Sequence, residues 1–282
     1  MKVGFIFTNF NNSSFTKDAV ASLNSPKNSQ HDYYITIVDN NSNQENVDIL
    51  VSIKKEWENV ELILSKENPG YFKGLNVGIL HIRKLFPNLD CIIIGNNDLI
   101  FPNNFHTLLD ENKSVISSYA VVSPNIVTMN GEYQNPHVIS SISPFREFIY
   151  DLYYSNYLIA ILIKKTAALT KLFTDRKDES QHDVAQVIYQ GHGSCFILGP
   201  NFLKNFEQLW APTFLMYEEV FLSLQLREKG LNIYYEPKIK ITHQYHASIG
   251  KISSKKIWEY SKLAHKEYRK YVGIMGLKTR EL

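Results

Sequence analysis

The chain has 282 residues, of which 44% are hydrophobic and 21% are charged, and its formal net charge is +2. This composition is typical of a globular protein with one large or two small domains, and it excludes a disordered or fibrous chain. The small net charge provides no basic field for nucleic acid, so we expect no nucleic-acid partner.

Strand-like and helix-like segments alternate over the first hundred residues. Apolar, β-branched runs predict strands, and apolar residues at helical spacing predict helices. This order indicates βαβ units and an α/β fold with a mainly parallel central sheet flanked by helices. The predicted strands are 3–8, 34–38, 60–64 and 90–95, and the predicted helices are 15–23, 47–57 and 74–85.

The second half is less regular. Residues 174–186 are polar and predict an exposed loop or lid, and Gly230 marks the end of a largely apolar helix. We predict further strands at 114–124, 194–198, 233–235 and 239–242, and helices at about 201–209 and 218–229.

The C-terminal segment 251–282 carries nine Lys or Arg residues and three Asp or Glu residues. Two interpretations are compatible with it. A terminal helix could pack on the core with a basic face in solvent, or it could rest on an anionic membrane surface. The apolar residues at helical spacing are Ile257, Tyr260, Leu263, Ala264, Tyr268 and Tyr271.

Several features favour a cytoplasmic protein. The first residues form an apolar run and an Asn-rich loop, which is typical of a buried strand and unlike a signal peptide. The longest uncharged apolar run, 152–163, is too short for a membrane span. Cys91 and Cys195 lie in apolar runs without the spacing of a disulfide scaffold or a zinc site, which suits a reducing compartment.

Polar loops follow three of the predicted strands, at Thr8-Asn9, Asp39-Asn40 and Asn97-Asp98. Because ligands of parallel α/β sheets bind beyond the carboxyl ends of the strands, we expect these loops to converge on one edge. Turn formation by Asn and Asp is the alternative for any single loop.

Four motifs carry candidate chemistry. Asp98 follows a buried strand and is a candidate ligand for Mg²⁺ or Mn²⁺, and His243 ends a strand and could add a nitrogen ligand. The Gly-rich stretch 68–78 leads into a helix whose N–H groups could bind phosphate, but it is neither a dinucleotide fingerprint nor a Walker loop. Glu218 and Glu219 begin a helix, where they could cap it or supply a general base.

In this order the motifs resemble family 2 inverting glycosyltransferases with the GT-A fold, in the rhamnosyltransferase-like group that assembles bacterial surface polysaccharides. The resemblance covers about residues 3–248. The matching segments are FIFTNFNN at 5–12, VDNNS at 38–42, NPGYFKGLNVG at 68–78, NND at 96–98 in place of the metal-binding D-x-D, FLMYEEVFLSLQLREKG at 214–230 and HQYHAS at 243–248.

The resemblance implies a Rossmann-like GT-A domain over residues 1–250, with the nucleotide bound by about 1–100 and the acceptor by 101–250. Residues 251–282 would then form a basic, amphipathic helical extension.

The resemblance also implies roles for individual residues. Asp98 and His243 would bind Mn²⁺ or Mg²⁺, and Glu219 would be the catalytic base, with Glu218 as the alternative. The residues implied in substrate binding are Thr8, Asn9 and Asn11 in the first loop, Asp39 and Asn40 in the second, Asn68, Gly70, Tyr71, Gly74 and Asn76 in the Gly-rich stretch, and Asn96, Asn97, Gly193 and Ser194.

The function implied is metal-dependent, inverting transfer of a hexosyl or deoxyhexosyl group. The donor would be a nucleotide-diphosphate sugar, and the acceptor a hydroxyl of a glycan or polyprenyl-linked glycan at the cytoplasmic face of the inner membrane. Three substitutions leave a second interpretation open, namely a catalytically silent sugar-nucleotide-binding module: Asn96, Glu219 and Phe221 each replace an Asp of the family pattern. A nucleotidyltransferase is disfavoured because residues 8–14 lack a phosphate loop rich in Lys and Gly.

Overall fold

The first hundred residues form the predicted alternation of strands and helices. The structure is a computed structural model that describes residues 1–25, 32–170, 178–244 and 254–277. Its first elements are β1 (Val3–Asn9), α1 (Ser13–Leu23), β2 (Tyr33–Asp39), α2 (Gln44–Glu56), β3 (Val60–Leu64), α3 (Tyr71–Leu85) and β4 (Cys91–Asn96). The predicted segments agree with these bounds to within three residues, because each is a strong local pattern.

The remaining elements complete the sheet and its helical cover. They are β5 (Leu99–Ile100), α4 (Phe105–Glu111), α5 (Lys113–Ser118), β6 (Val121–Thr128), α6 (Pro144–Ser155), α7 (Tyr157–Thr170), β7 (Gln186–Ile188), β8 (Cys195–Leu198), α8 (Pro200–Asn205), α9 (Glu218–Glu228), β9 (Ile233–His243), α10 (Ser254–Tyr268), β10 (Val272–Gly273) and β11 (Gly276–Leu277). No helix in the described ranges is long and apolar enough to cross a membrane.

Three predictions in this half are corrected. The strand predicted from residue 114 starts at Val121, because residues 113–118 form a helix that buries Ile116. The predicted helix at 201–209 ends at Asn205, where Phe206 becomes extended. The two short strands after residue 232 are one strand, β9, with a register irregularity opposite Pro124 and Asn125 that accommodates its Pro237.

The predicted lid at 174–186 lies partly outside the described residues. Asp178–Gln181 form a short 3-10 helix, and Gln186 begins β7. Most side chains from 179 to 185 are exposed or partly exposed. The predicted exposed loop is therefore confirmed for this part only, and its action as a lid stays a prediction.

The central sheet has the order β3-β2-β1-β4-β8-β6-β9-β5, with β7 paired to β9. The first four strands are parallel, β8 runs antiparallel to β4 and β6, and β9 is parallel to β6. The α/β fold with a mainly parallel central sheet flanked by helices is confirmed. Because β8 separates β4 from β6, the loop before β8 and the carboxyl end of β9 are brought beside the carboxyl end of β4.

Both faces of the sheet are buried. Phe5 and Phe7 of β1 point into a core shared with α1, α2 and α4, whereas Ile6 points into a second core shared with α3, α8 and α9. This alternation follows from the two-residue period of a strand. Cys91 and Cys195 are buried and free, as the apolar pattern indicates.

The C-terminal elements pack on the rest of the protein. Tyr268 and Val272 join Val220, Phe221 and Leu224 of α9 in a small third core. This arrangement supports the first of the two interpretations of this segment, a helix packed on the core.

Candidate active site

Three polar loops meet at the carboxyl ends of β1, β2 and β4, as the sequence predicts. The Asn9 amide donates to an Asp39 carboxylate oxygen at 2.8 Å, and the Asn97 amide donates to the Asn9 side-chain oxygen at 3.1 Å. All three side chains are buried. Their hydrogen bonds therefore fix the loops relative to one another, and their roles as nucleotide contacts stay predictions.

The loops after β1 and β2 are also joined by Ser42 and Asn11. The Ser42 hydroxyl and N–H donate to the two Asp39 oxygens at 2.5 and 2.9 Å. Asn11 has a φ of 54°, a conformation that Asn tolerates better than most residues, and its side-chain oxygen accepts from the Asn43 N–H at 2.8 Å. The two loops thus form one rim of the site.

The Gly-rich stretch lies against the segment that leads into α9. Asn68 accepts from the Gly70 N–H at 3.0 Å, and the Phe214 carbonyl accepts from the Tyr71 N–H at 3.1 Å. Gly70 has a φ of +94°, and a Cβ there would collide with that same carbonyl. Only glycine combines this backbone conformation with such an approach, so the start of α3 is coupled to the chain before Glu218.

Asn40 and Thr8 pack beside the first turn of α3. The Asn40 amide donates to the Gly70 carbonyl at 3.1 Å, and a Cβ at Gly74 would lie 2.8 Å from both Asn40 Oδ1 and Thr8 Cγ2. The positive end of the α3 dipole therefore lies at the carboxyl ends of the strands, where it can stabilise an anion.

The side chain of Asn76 forms hydrogen bonds with the backbone of a distant segment of the protein. Its amide donates to the Leu209 carbonyl and accepts from the Leu209 N–H, both at 2.8 Å. It borders a groove of about 1110 Å³ that lies between α3, residues 206–212, the end of α9 and Tyr271. Asp98, Glu218 and Glu219 are not among the residues that line this groove. Asn76 therefore shapes the 206–212 segment, and its contact with a donor sugar stays a prediction.

Asp98 and His243 form a buried pair although they lie 145 residues apart. His243 Nε2 is 3.1 Å from Asp98 Oδ1 and 3.4 Å from the Asn96 amide nitrogen. On the other side of the ring, His243 Nδ1 lies 2.7 Å from the Gln134 amide oxygen. Because an amide oxygen only accepts, Nδ1 carries a proton.

This pair fits a divalent cation. When Nδ1 carries the ring's single proton, the Nε2 lone pair faces a carboxylate oxygen, and the two repel unless a second proton or a metal ion lies between them. Oxygen and imidazole nitrogen are ligands that Mn²⁺ accepts. Within the described ranges no third His, Cys, Asp or Glu completes a metal-binding group, so a bound ion would keep positions for phosphate oxygens and water.

Glu218 and Glu219 begin α9 in different surroundings. Glu218 is only 7% exposed, and burial followed by repulsion from Glu219 raises the pKa of its carboxyl to about 8. Glu219 is partly exposed, and its Oε2 lies 3.4 Å from where a Cβ on Gly193 would be. Glu219 is therefore the acid of the pair that a substrate can reach.

The backbone before the acids is strained. Met216 and Tyr217 have φ values of 74° and 68°, and a left-handed conformation costs about 1–2 kcal/mol for a non-glycine residue. Two side-chain contacts hold this turn: the Thr213 hydroxyl donates to the Met216 carbonyl at 3.1 Å, and the Tyr217 hydroxyl lies 3.0 Å from His265 Nδ1. Such strain clusters at functional sites.

The turn at residues 192–194 joins the Asp98–His243 pair to the acids. The Ser194 carbonyl accepts from the Asn96 N–H at 2.9 Å, and the Gly193 carbonyl accepts from the Tyr71 hydroxyl at 3.1 Å. Glu219 lies beside Gly193. The structure thus places the Asp98–His243 pair and the Glu218–Glu219 pair on two sides of one turn, and their roles stay predictions.

His192 in this turn was missed by sequence reasoning. Its Nδ1 accepts from the Ser194 N–H at 3.3 Å, and its ring lies 5.9 Å from the His243 ring. Burial, followed by the neighbouring His137 and His243, lowers the pKa of His192 well below its usual value. The neutral ring therefore carries its proton on Nε2. Its position beside Gly193 was the only signal in the sequence.

The support for Tyr217 from α10 was also missed. His265 Nε2 lies 2.8 Å from Asp151 Oδ1, and Arg269 bonds Asp151 at 2.6 Å and Glu147 at 2.9 Å. Although burial opposes it, hydrogen bonds from Arg269 and His265 lower the pKa of Asp151. A polar network therefore ties α6 and α10 to the residue before the acids.

This assembly of site and fold agrees with one protein family. Residues 5–160 match the model of glycosyl transferase family 2. Because the match spans more than half of the chain, the protein belongs to this family, and its sheet and helices have the GT-A fold of such enzymes. Residues 245–248 of the HQYHAS motif, which include His246 and Ser248, lie outside the described residues.

Two solved glycosyltransferases have a similar fold. GalNAc-T7 with UDP, GalNAc and Mn²⁺ aligns with a TM-score of 0.55 and 12% identity over 86% of this chain and 44% of that one. Mannosyltransferase PcManGT from Pyrobaculum calidifontis, in complex with GDP-Man and Mn²⁺, aligns with a TM-score of 0.53 and 13% identity. That alignment covers 86% of this chain and 56% of that one. At this identity the likeness shows the fold alone, and the chain spans about half of either structure. No curated protein sequence is significantly similar.

Proposed function

We propose that this protein transfers a sugar from a nucleotide-diphosphate sugar to a hydroxyl group with inversion at the anomeric carbon. The observation that carries the proposal is the meeting of Asp98–His243 and Glu218–Glu219 across the turn that contains Gly193 and Ser194. An inverting transfer needs a site for the leaving diphosphate and a base near the attacking hydroxyl, on opposite faces of the sugar.

Asp98 and His243 form the diphosphate side of the proposed site. The similar fold of two enzymes solved with nucleotide or nucleotide sugar and Mn²⁺ supports Mn²⁺ or Mg²⁺ as the ion for this pair. A bound ion would offset the negative charge that develops on the leaving diphosphate. The Gln134 amide oxygen orients the imidazole by accepting a hydrogen bond from its Nδ1–H, and Asn96 adds a neutral amide beside it.

Glu219 is the proposed base. Its carboxylate takes the proton of the acceptor hydroxyl as the oxygen attacks the anomeric carbon. Burial keeps Glu218 protonated near pH 7, so Glu218 does not add a second negative charge beside the attacking oxygen. This difference favours Glu219 over Glu218 for the role that the sequence left open between them.

The acceptor we propose is a glycan or a polyprenyl-linked glycan in bacterial surface polysaccharide synthesis, reached from the cytoplasmic face of the membrane. The support is the resemblance of the ordered motifs to the rhamnosyltransferase-like group. The donor would carry a hexosyl or deoxyhexosyl group.

Binding of the donor is tested first. Unfolding temperatures are measured with a panel of sugar nucleotides, with and without Mn²⁺, because a ligand of the native state raises stability with its concentration and affinity. We expect one sugar nucleotide to raise the unfolding temperature more with Mn²⁺ than without, and Asp98→Asn to remove that difference. A panel without any shift would contradict the proposal.

Turnover is tested next with the donor so identified. We expect Glu219→Gln to lower transfer by at least about 100-fold, since a general base contributes about that much, while donor binding persists. Glu218→Gln should retain more activity. Full transfer by both variants would refute the assignment of the base. Binding without turnover across many acceptors would instead identify a catalytically silent sugar-nucleotide-binding module. That alternative stays open because Asn96 is uncharged and Asp98 is the one acidic candidate ligand within the described residues.

A further inference from the structure

A chain of hydrogen bonds leads from the residue before the acid pair into α10 and α6. The Tyr217 hydroxyl lies 3.0 Å from His265 Nδ1, and His265 Nε2 lies 2.8 Å from Asp151 Oδ1. His265 is buried, and the Tyr217 side chain packs against the third core. We refer to these three residues as the Tyr–His–Asp chain. They come from three separate elements, so their contacts exist only in the folded protein.

The protons of the Tyr–His–Asp chain are donated in one direction. An ionised carboxylate only accepts, so His265 Nε2–H donates to Asp151. Burial lowers the pKa of His265, so the ring keeps one proton and its Nδ1 accepts from the Tyr217 O–H. Burial also raises the pKa of Tyr217 well above its usual value, so the hydroxyl keeps the proton that it donates.

Arg269 holds the far end of the chain. Its Nε donates to the same Asp151 oxygen at 2.6 Å, and one of its terminal nitrogens donates to the Glu147 carbonyl of α6 at 2.8 Å. Charge-assisted hydrogen bonds of this kind are stronger than neutral ones and more specific in geometry. Asp151 therefore has a fixed orientation, and it orients the His265 ring in turn.

The near end of the chain is the backbone from which α9 starts. Met216 and Tyr217 both have left-handed conformations, which persist only where neighbouring contacts hold them. The Tyr217 carbonyl accepts from the N–H groups of Val220 and Phe221, both at 3.1 Å, and these are the first hydrogen bonds of the helix. The orientation of Tyr217 therefore sets the direction in which the Glu219 side chain leaves the helix.

We propose that the Tyr–His–Asp chain positions Glu219 for catalysis. The chain holds the left-handed turn, the turn sets the start of α9, and the start of α9 places the Glu219 carboxylate beside Gly193. Such placement matters because a shift of about 1 Å in a catalytic group can lower a rate about 100-fold. The three residues act through the backbone and are positioning residues. Their effect on catalysis rests on the proposed function, whereas their hold on the turn does not.

The first test measures the turn without catalysis, by amide hydrogen exchange in the full chain. Tyr217→Phe keeps the aromatic ring and removes the hydroxyl. We expect it to speed exchange at the Val220 and Phe221 amides by about fivefold, the effect of one lost hydrogen bond on local opening. His265→Gln removes the ring nitrogen that accepts from Tyr217, and it should have the same effect.

Tyr268→Phe is the matched control. Tyr268 lies on the same helix as His265, and its hydroxyl donates to Glu147 at 2.7 Å, outside the Tyr–His–Asp chain. The control therefore loses a tyrosine hydroxyl and its hydrogen bond, as Tyr217→Phe does, but it leaves the turn in place. Exchange at the two amides should match that of the unchanged protein. Equal acceleration in both variants, or none in Tyr217→Phe, would overturn the proposal.

The second test measures turnover, with Mn²⁺ and the sugar nucleotide that the unfolding-temperature panel selects as donor. We expect Tyr217→Phe and His265→Gln each to lower kcat about tenfold, as a displaced base would, with an unchanged dissociation constant of the donor. The double variant should be no slower than the slower single variant, because both substitutions break the same contact. A purely structural role would leave kcat per donor-binding site unchanged. That result, or multiplied losses in the double variant, would overturn the proposal.

Failure of the proposed function gives a different result. Loss of transfer in Glu219→Gln with unchanged kcat in Tyr217→Phe would overturn the positioning role and leave the function standing. Full transfer by Glu219→Gln would overturn the assignment of the base, and the positioning role with it. The exchange rates need no donor or acceptor, so they report on the turn in either case.

Discussion

Adjacent residues of this protein differ in environment more than in chemistry. Asn97 turns toward the α1 side and bonds Asn9, Asn12 and Thr16, whereas the next residue, Asp98, faces His243. Glu218 is buried and its neighbour Glu219 reaches Gly193. Two side chains in succession thus have separate roles, because successive residues of a turn or helix point in different directions.

The buried Glu218 predicts a pH-dependent stability. Its pKa is about 8 in the folded protein against an ordinary value of 4.5, so between these pH values the folded state holds a proton that the unfolded state loses. Stability is therefore greatest below about pH 4.5 and falls as the pH rises to about 8. We expect Glu218→Gln to stabilise the protein by a few kcal/mol at pH 9 and little at pH 4.5, measured by urea unfolding.

Glu219→Gln is the matched control for that experiment. It removes the repulsion between the acids but leaves the burial of Glu218, which is the larger cause of its raised pKa. A smaller gain at pH 9 is therefore expected. Equal gains for Glu218→Gln at both pH values would show that folding does not raise the pKa of Glu218, and would contradict the prediction.

At the scale of elements, the start of α9 is positioned by segments far away in the chain. The α3 entry contacts Phe214, and α10 contacts Tyr217. The strained turn at Met216 and Tyr217 persists because both neighbours hold it. The order of the elements was predictable from periodicity, but this convergence was not, since no local pattern records which distant backbone a turn will touch.

Gly70 gives a direct test of that coupling. We expect Gly70→Ala to lower the free energy of unfolding by about 3 kcal/mol, because the positive φ and the collision with the Phe214 carbonyl both oppose a Cβ. Donor binding should weaken as well, as the loop moves.

Gly230→Ala is the control, since Gly230 has a φ of +66° and nothing within 4 Å of its Cβ position. It should cost about 1 kcal/mol and leave donor binding unchanged. Equal losses of stability and binding in the two variants would contradict the proposed coupling. Both quantities are accessible from denaturant and ligand titrations.

The errors of the sequence reasoning also belong to this scale. Residues 113–118 have a β-branched and serine-rich sequence, yet they form a helix because Ile116 reaches the core from that conformation. The sequence predicted separate strands at 233–235 and 239–242, but pairing with β6 continues past the intervening Pro237 through a register irregularity. In both cases tertiary contacts outweighed a weak local preference.

At the scale of the whole molecule, residues 254–277 of the basic C-terminal segment are part of the folded body. Its buried Tyr268 and Val272 cover apolar residues of α9, and its His265 and Arg269 bind α6. A chain that ends at residue 250 should therefore lose about 3 kcal/mol or more of unfolding free energy, because several large apolar side chains lose their cover.

Urea titration of the shortened chain checks this prediction, with Lys255→Gln and Lys256→Gln in the full chain as a control that removes charge but no packing. Unchanged stability of the shortened chain would show that the segment does not support the core, and would favour the alternative interpretation of a helix that rests on an anionic membrane surface. We expect the control to unfold at the same urea concentration as the unchanged protein.

The sequence by itself determined the βαβ order, the polar loops at the strand ends, the Gly-rich entry to α3 and the candidate acids and cation ligands. These features depend on hydrophobic period and turn chemistry, which act between residues close in the chain. Only the tertiary structure decided which glutamate is buried, which nitrogen of His243 faces Asp98, and that α10 supports the turn before the acids. Burial and tautomer depend on residues more than a hundred positions away, and their contacts exist only after the chain has folded.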